Sequence, residues 1–251
     1  MPRFGVALLV EPSRHYLEYS SCVMRGIADQ FRNRLRIAEL RGDDANPSRI
    51  DEALAAEDPI FFWGVGHGNV DIWTVECMQI YMRACDERTR KMAGRVVHLN
   101  SCLTANQLGP DLVQKGALAY YGHKTEFWLV VSDPPCSTKR VTSVFDAELT
   151  VEKSLFSGKT TGEAQRDRMR AYDDEIRYWT EGPGKGDPLA PVILWCLNID
   201  KSGAVFLGRE DVRVTGAAVP WLVYAVPAVA AFAVSSLAAY ALAKPRARVV
   251  A

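Results

Sequence analysis

Four histidines (His15, His67, His98 and His123) and six cysteines (at 22, 77, 85, 102, 136 and 196) are the residues best suited to proton transfer and nucleophilic attack near neutral pH. Two of them stand where chemistry is possible. His67 lies between Gly66 and Gly68, directly after the apolar run 59–65. Cys102 follows the next predicted strand, 95–100, with Ser101 between. Only a thiolate is a strong nucleophile, and a nearby imidazole or a helix N-terminus helps it form. A helix is expected soon after Cys102. Glycines beside His67 let a substrate backbone approach, and the backbone N–H groups of Gly68 and Cys102 are natural donors to a developing oxyanion. Taken singly, such a cysteine is ordinarily an inert core thiol and such a histidine a turn residue. Their positions at the ends of consecutive strands make Cys102 and His67 the candidate catalytic pair.

The remaining candidates are weaker. His98 lies within its strand and reads as structural. His123 also follows a strand end and is the one rival base. None of the cysteines forms a CxxC pair or has zinc-finger spacing with histidines, so no metal site is expected. A disulfide framework is not expected at this size and cysteine density, and reduced thiols in a reducing compartment fit better. The glycines at 64, 66 and 68 look like a dinucleotide loop, but the GxGxxG spacing is broken and no acidic strand end follows about 20 residues on. No cofactor is implied. Thirty basic residues balance thirty acidic ones, so no basic field invites nucleic acid.

The elements that must position the pair alternate. Strands are predicted at 4–10, 36–41, 59–65, 95–100 and 117–121, with helices at 13–35, 47–57, 75–90 and 108–115. Strands apolar on both faces mean a mostly parallel sheet covered by helices. Two further helices are expected at 142–156 and 161–179, then late strands at 191–198 and 204–207. In such a sheet ligands bind at the carboxyl ends of the strands. The strands ending at His67 and Cys102 are separated by one helix and should be neighbours, about 4.8 Å apart.

The run Phe61-Phe62-Trp63-Gly64-Val65-Gly66-His67-Gly68-Asn69 resembles the histidine strand of caspase-like (clan CD) cysteine peptidases, and Val96-Val97-His98-Leu99-Asn100-Ser101-Cys102 resembles their cysteine strand. The likeness is closest to the gingipain-type branch. Trp73, the run Gly116-Ala117-Leu118-Ala119-Tyr120-Tyr121-Gly122 and Gly186-Asp187-Pro188 add to it, over residues 4–208. The resemblance implies a caspase-like three-layer α/β sandwich. It also implies a cysteine endopeptidase with Cys102 as nucleophile and His67 as general acid/base, working through an acyl-enzyme on a peptide or protein substrate. A preference for basic side chains before the scissile bond would follow, with Asp71, Glu76 or Glu126 as the pocket acid. By the same resemblance the loop from Gly122 to Trp128 walls the cleft, Trp128 stacking on substrate. The alternatives are a catalytically inactive caspase-like module acting through partners, and a different hydrolase or acyl transferase using the same thiol.

Residues 1–209 thus read as one domain and 210–216 as a spacer. No charged residue occurs from 215 to 243, long enough for one membrane-spanning helix over 217–243, and a short basic tail, 244–251, follows. The N-terminus does not read as a signal peptide. The expectation is a single-pass, C-terminally anchored protein with its domain in the cytoplasm and a lipid membrane as partner. Oligomeric state is not legible.

Overall fold

A computed structural model describes residues 2–14, 17–131 and 136–216. Six strands form the main sheet: β1 (Arg3–Glu11), β2 (Arg36–Arg41), β3 (Pro59–Val65), β6 (Val96–Asn100), β7 (Ala119–His123) and β8 (Ala204–Gly208). Their order is β2-β1-β3-β6-β7-β8. All neighbours run parallel except β8, which is antiparallel to β7. A separate antiparallel hairpin, β4 (Ile72–Thr74) and β5 (Ile80–Arg83), lies between β3 and β6 in sequence.

Successive residues of a strand point to opposite faces, so a strand buried on both faces must be apolar throughout. Every residue of β3 is buried. Phe61, Trp63 and Val65 face one helical layer, α1 (Glu18–Phe31), α4 (Lys139–Glu148) and α5 (Thr150–Phe156), meeting Ile27, Phe145 and Phe156. Phe62 faces the other, α2 (Pro47–Glu57), α3 (Leu108–Gln114) and the hairpin, meeting Ile50, Leu108, Trp73 and Tyr81. The result is a three-layer α/β sandwich, as the alternation of elements implied. A further pair, α6 (Thr161–Thr180) and α7 (Ala190–Gly203), packs on α4 through Tyr172, Trp179, Ile193 and Leu197.

Local sequence fixes the helix ends. Asn46 caps α2 by accepting from the Arg49 amide, with Pro47 just inside. Thr160 and Glu163 form a reciprocal capping box on α6.

Two expected elements are different. The helix expected at 75–90 is replaced by the β4–β5 hairpin and two short 3-10 turns, 76–78 and 87–92. Cys77 and Met78 take φ of 54° and 60°, which no helix admits. Trp73, Tyr81 and Met82 are buried from the hairpin against Phe62. The strand expected at 191–198 lies within α7. Its apolar run is short enough to fit either period. The helical period wins because it buries Ile193, Cys196, Leu197 and Asp200 on one stripe.

The spacer expected at 210–216 is packed on the domain: Val212 and Val214 are buried, and the Gly5 amide donates to the Val214 carbonyl at 2.8 Å. Among the described residues no helix is long and apolar enough to cross a membrane. The expected span, 217–243, and the tail 244–251 lie outside the described residues.

One cysteine expectation is overturned. Cys22 of α1 and Cys136, three residues before α4, form a disulfide with Cα atoms 6.3 Å apart. The two lie 114 positions apart in sequence, a pairing that spacing cannot reveal. Cys77, Cys85, Cys102 and Cys196 are free thiols.

Candidate active site

β3 and β6 are direct neighbours, with Val65 opposite Asn100. The chain leaves both strands at the same edge of the sheet, and there His67 and Cys102 line one cavity of about 160 Å³. Val65, Gly66, Asn100 and Ser101 complete its floor. Leu17 and Ser20 wall it from the α1 side, Phe145 from α4, and Phe127 and Leu129 from the segment after β7. Two other surface hollows, one along α6 and one at 209–216, are lined by neither cysteine nor histidine.

The histidine loop is held by the hairpin. The Thr74 amide and hydroxyl both donate to the His67 carbonyl, at 2.9 and 3.0 Å. Trp73 fills the space that side chains at 64 and 66 would need. A Cβ on Gly64 would lie 2.6 Å from the indole, and one on Gly66 2.1 Å from the Thr74 carbonyl oxygen. Gly68 is confined from the opposite side, where a Cβ would lie 2.4 Å from the Cys102 carbonyl oxygen. The histidine and cysteine loops therefore touch backbone to backbone.

The cysteine loop carries strain. Leu103, directly after Cys102, takes φ of 62°, a left-handed conformation that a side chain disfavours. Its surroundings hold it there. The Leu103 and Ala105 amides donate to the carbonyls of Thr125 and His123, each at 2.9 Å, and Asn106 Nδ2 donates to the Leu103 carbonyl at 2.9 Å. The segment 123–127 thus runs alongside the cysteine loop. Its Phe127 amide donates to Cys102 Sγ at 3.3 Å. Burial pushes the Cys102 thiol above its ordinary value, and the carboxylates of Glu126 and Asp200 add to the rise. The Phe127 amide opposes it. The helix expected to assist the thiolate, α3, begins only at Leu108.

The other expected residues lie elsewhere. Glu126 is exposed and not among the described lining residues. Trp128 is half-exposed, its ring 4.9 Å from Trp195, and its amide donates to the buried Asp200 carboxylate at 2.9 Å. Asp71 pairs with Arg83, and Glu76 with Arg14 and the Ser13 amide. Among the described residues no carboxylate lines the cavity, and no group of His, Cys, Asp or Glu is gathered to hold a metal ion.

His98 and His123 belong to a sealed ionic cluster behind the sheet edge. Glu148 is fully buried and meets His98 Nε2 at 2.9 Å, Arg168 Nη2 at 2.6 Å, His123 Nε2 at 3.1 Å and the Tyr172 hydroxyl at 2.7 Å. Glu152 bonds the other nitrogen of His98. Burial alone would lower the His98 pKa, but Glu152 and Glu148 raise it to about 9. Burial opposes the charge of Glu148, yet Arg168 and the two histidines hold its pKa well below the usual carboxylate range. Burial lowers the His123 pKa. As a base His123 is turned toward Glu148 and Arg168, away from the cavity lining.

Sequence reasoning missed Asn100, the Phe127 amide and the α1 wall. Asn100 had one signal: it is the polar residue at the carboxyl end of β6. The others rest on long-range packing and had none. No protein-family model matches the chain, and no curated protein matches it at a significant level.

Proposed function

We propose that the chain is a caspase-like cysteine endopeptidase, tethered to a membrane by residues 217–243. The observation that carries this reading is one cavity at the carboxyl edge of a parallel sheet, lined by both a free thiol and an imidazole from adjacent strands. The three-layer sandwich with a mostly parallel sheet is compatible with the architecture that the resemblance implies.

The chemistry follows from these groups. His67 takes the proton from Cys102 as the sulfur attacks the scissile carbonyl. The tetrahedral oxyanion is met by backbone N–H groups at Gly68 and Cys102. His67 then protonates the leaving amine, and the C–N bond breaks to leave a thioester. Water, deprotonated by His67, hydrolyses that thioester and restores the thiol. The raised pKa of Cys102 means that a thiol, not a standing thiolate, is the resting form. Proton removal by His67 therefore accompanies the attack of the sulfur.

The same raised pKa favours a second reading, a catalytically inactive module whose cleft binds a partner. Labelling with a thiol-reactive probe at neutral pH separates the two. An enzyme labels at Cys102 in preference to exposed Cys77 and Cys85, with labelling lost in Cys102→Ala and slowed in His67→Ala. Labelling confined to Cys77 and Cys85, unaffected by His67→Ala, sinks the peptidase.

A further inference from the structure

We propose that Asn100 selects the substrate, and that the cavity receives an uncharged side chain ending in a carboxamide, asparagine or glutamine, beside the scissile bond. The inference rests on the peptidase reading and deepens it.

Asn100 is 2% exposed, and among the described residues neither its Oδ1 nor its Nδ2 has a hydrogen-bond partner. Buried polar side chains are nearly always paired, and each exception needs an explanation. The neighbouring hydroxyls obey the rule. Ser20 donates to the Leu17 carbonyl at 2.8 Å, and Ser101 pairs with Thr104 at 3.3 Å. Asn100 is also held rigidly. It ends β6 opposite Val65, and its carbonyl accepts from the Gly66 amide at 3.4 Å. It lies two residues from Cys102 and lines the same cavity. An unpaired amide in that place leaves one acceptor and two donors unused at the cavity wall.

The rest of the lining defines the ligand. Among the described lining residues a charged side chain would meet no carboxylate, lysine or arginine as counter-ion. Leu17, Val65, Phe127, Leu129 and Phe145 suit a methylene stem. A void of about 150 Å³ admits a benzene molecule, so a cavity of about 160 Å³ admits one side chain of glutamine size. A terminal carboxamide is the uncharged group that answers both a donor and an acceptor. This departs from the basic preference implied by the resemblance.

The test uses the full chain in detergent micelles. Fluorogenic peptides carry Gln, Asn, Met, Glu or Lys before the scissile bond, and Met serves as the glutamine-sized side chain without an amide. The expected result is kcat/KM for Gln or Asn at least tenfold above Met, Glu and Lys. In Asn100→Leu the Gln-to-Met ratio falls toward one, while the melting temperature stays level or rises because an unpaired amide has become apolar. In parallel, peptide binding to Cys102→Ala and Cys102→Ala/Asn100→Leu chains is read by fluorescence anisotropy. Hydrolysis with no preference for Gln or Asn, or a ratio unchanged in Asn100→Leu, overturns the proposal and leaves the peptidase standing. Amide-selective, Asn100-dependent binding without hydrolysis by the unsubstituted chain supports the assignment of Asn100 and sinks the peptidase. Absence of both selective binding and hydrolysis overturns both.

Discussion

Gly68 and Cys102 approach so closely that a single carbon added to the first would lie 2.4 Å from the carbonyl oxygen of the second. The same carbon would meet Thr104 Cγ2 at 2.7 Å. Both obstacles belong to one loop, and one of them is backbone, so the conflict cannot be relieved by rotating a side chain. Gly68→Ala is expected to separate the histidine and cysteine loops. Overpacking of this kind costs roughly 1–3 kcal/mol. A misplacement of about 1 Å at a reacting pair costs on the order of 100-fold in rate. Thiol-probe labelling of Cys102 and circular dichroism of the folded variant check this. Unchanged labelling would show that the loops can part without consequence.

Leu103 offers a comparison that reverses the usual order of two small residues. At φ of 62° glycine is at ease and alanine is strained. Leu103→Gly is expected to be more stable than Leu103→Ala by about 1 kcal/mol. Both lose the same leucine contacts, so denaturant midpoints isolate the backbone effect. Equal midpoints would mean that the loop relaxes to negative φ in solution.

Arg168 is fully buried and donates to Glu148 through Nε and Nη2. Removing one partner of a buried pair leaves the other charge uncompensated, at about 3–5 kcal/mol. Arg168→Met is expected to lose stability in that range. The double variant with Glu148→Gln is expected to lose less than the sum of the two singles. Additive losses in chemical denaturation would sink the idea of a coupled cluster.

Glu11 ends β1 at the same sheet edge, 3% exposed, with Arg41 Nε 3.1 Å from its carboxylate. Burial raises its pKa to about 7, against the pull of Arg41. A carboxyl raised in the folded state binds its proton more tightly there than in the unfolded chain. Its effect on stability is therefore absent below about 4.5 and grows unfavourable as pH climbs to about 7. The full effect is on the order of 3 kcal/mol. Glu11→Gln is expected to raise the melting temperature at pH 8 and to change it little at pH 4.5. A gain that does not vary with pH would refute the assignment.

Much of the frame was legible because burial on both faces leaves an apolar signature. Pro59–Val65 and Val96–Asn100 announce themselves as interior strands, and their order in the chain places their ends side by side. That His67 and Cys102 line one cavity could be anticipated for that reason. Other features turn on interactions that local pattern does not encode. The segment 75–90 carries a helical rhythm of charged and apolar residues, but Trp73 and Tyr81 gain more from packing on Phe62 as a hairpin. The run at 191–198 suits either period, and only contact with α4 and α6 decides it. The cavity walls at Leu17 and Phe145 arrive from helices more than 100 positions apart, which nothing near Cys102 foretells.

The Cys22–Cys136 bond joins α1, the helix that follows Leu17 and carries Ser20, to the stretch leading into α4, which carries Phe145. Thiol enzymes are commonly kept in millimolar dithiothreitol so that the nucleophile stays reduced. Here that precaution has a second target, because the same reagent exchanges with any accessible cystine, and both partners of this one are part-exposed. Purification and assay buffers therefore belong among the experimental variables, and a preparation could keep Cys102 reduced while losing the cross-link between two sides of its pocket.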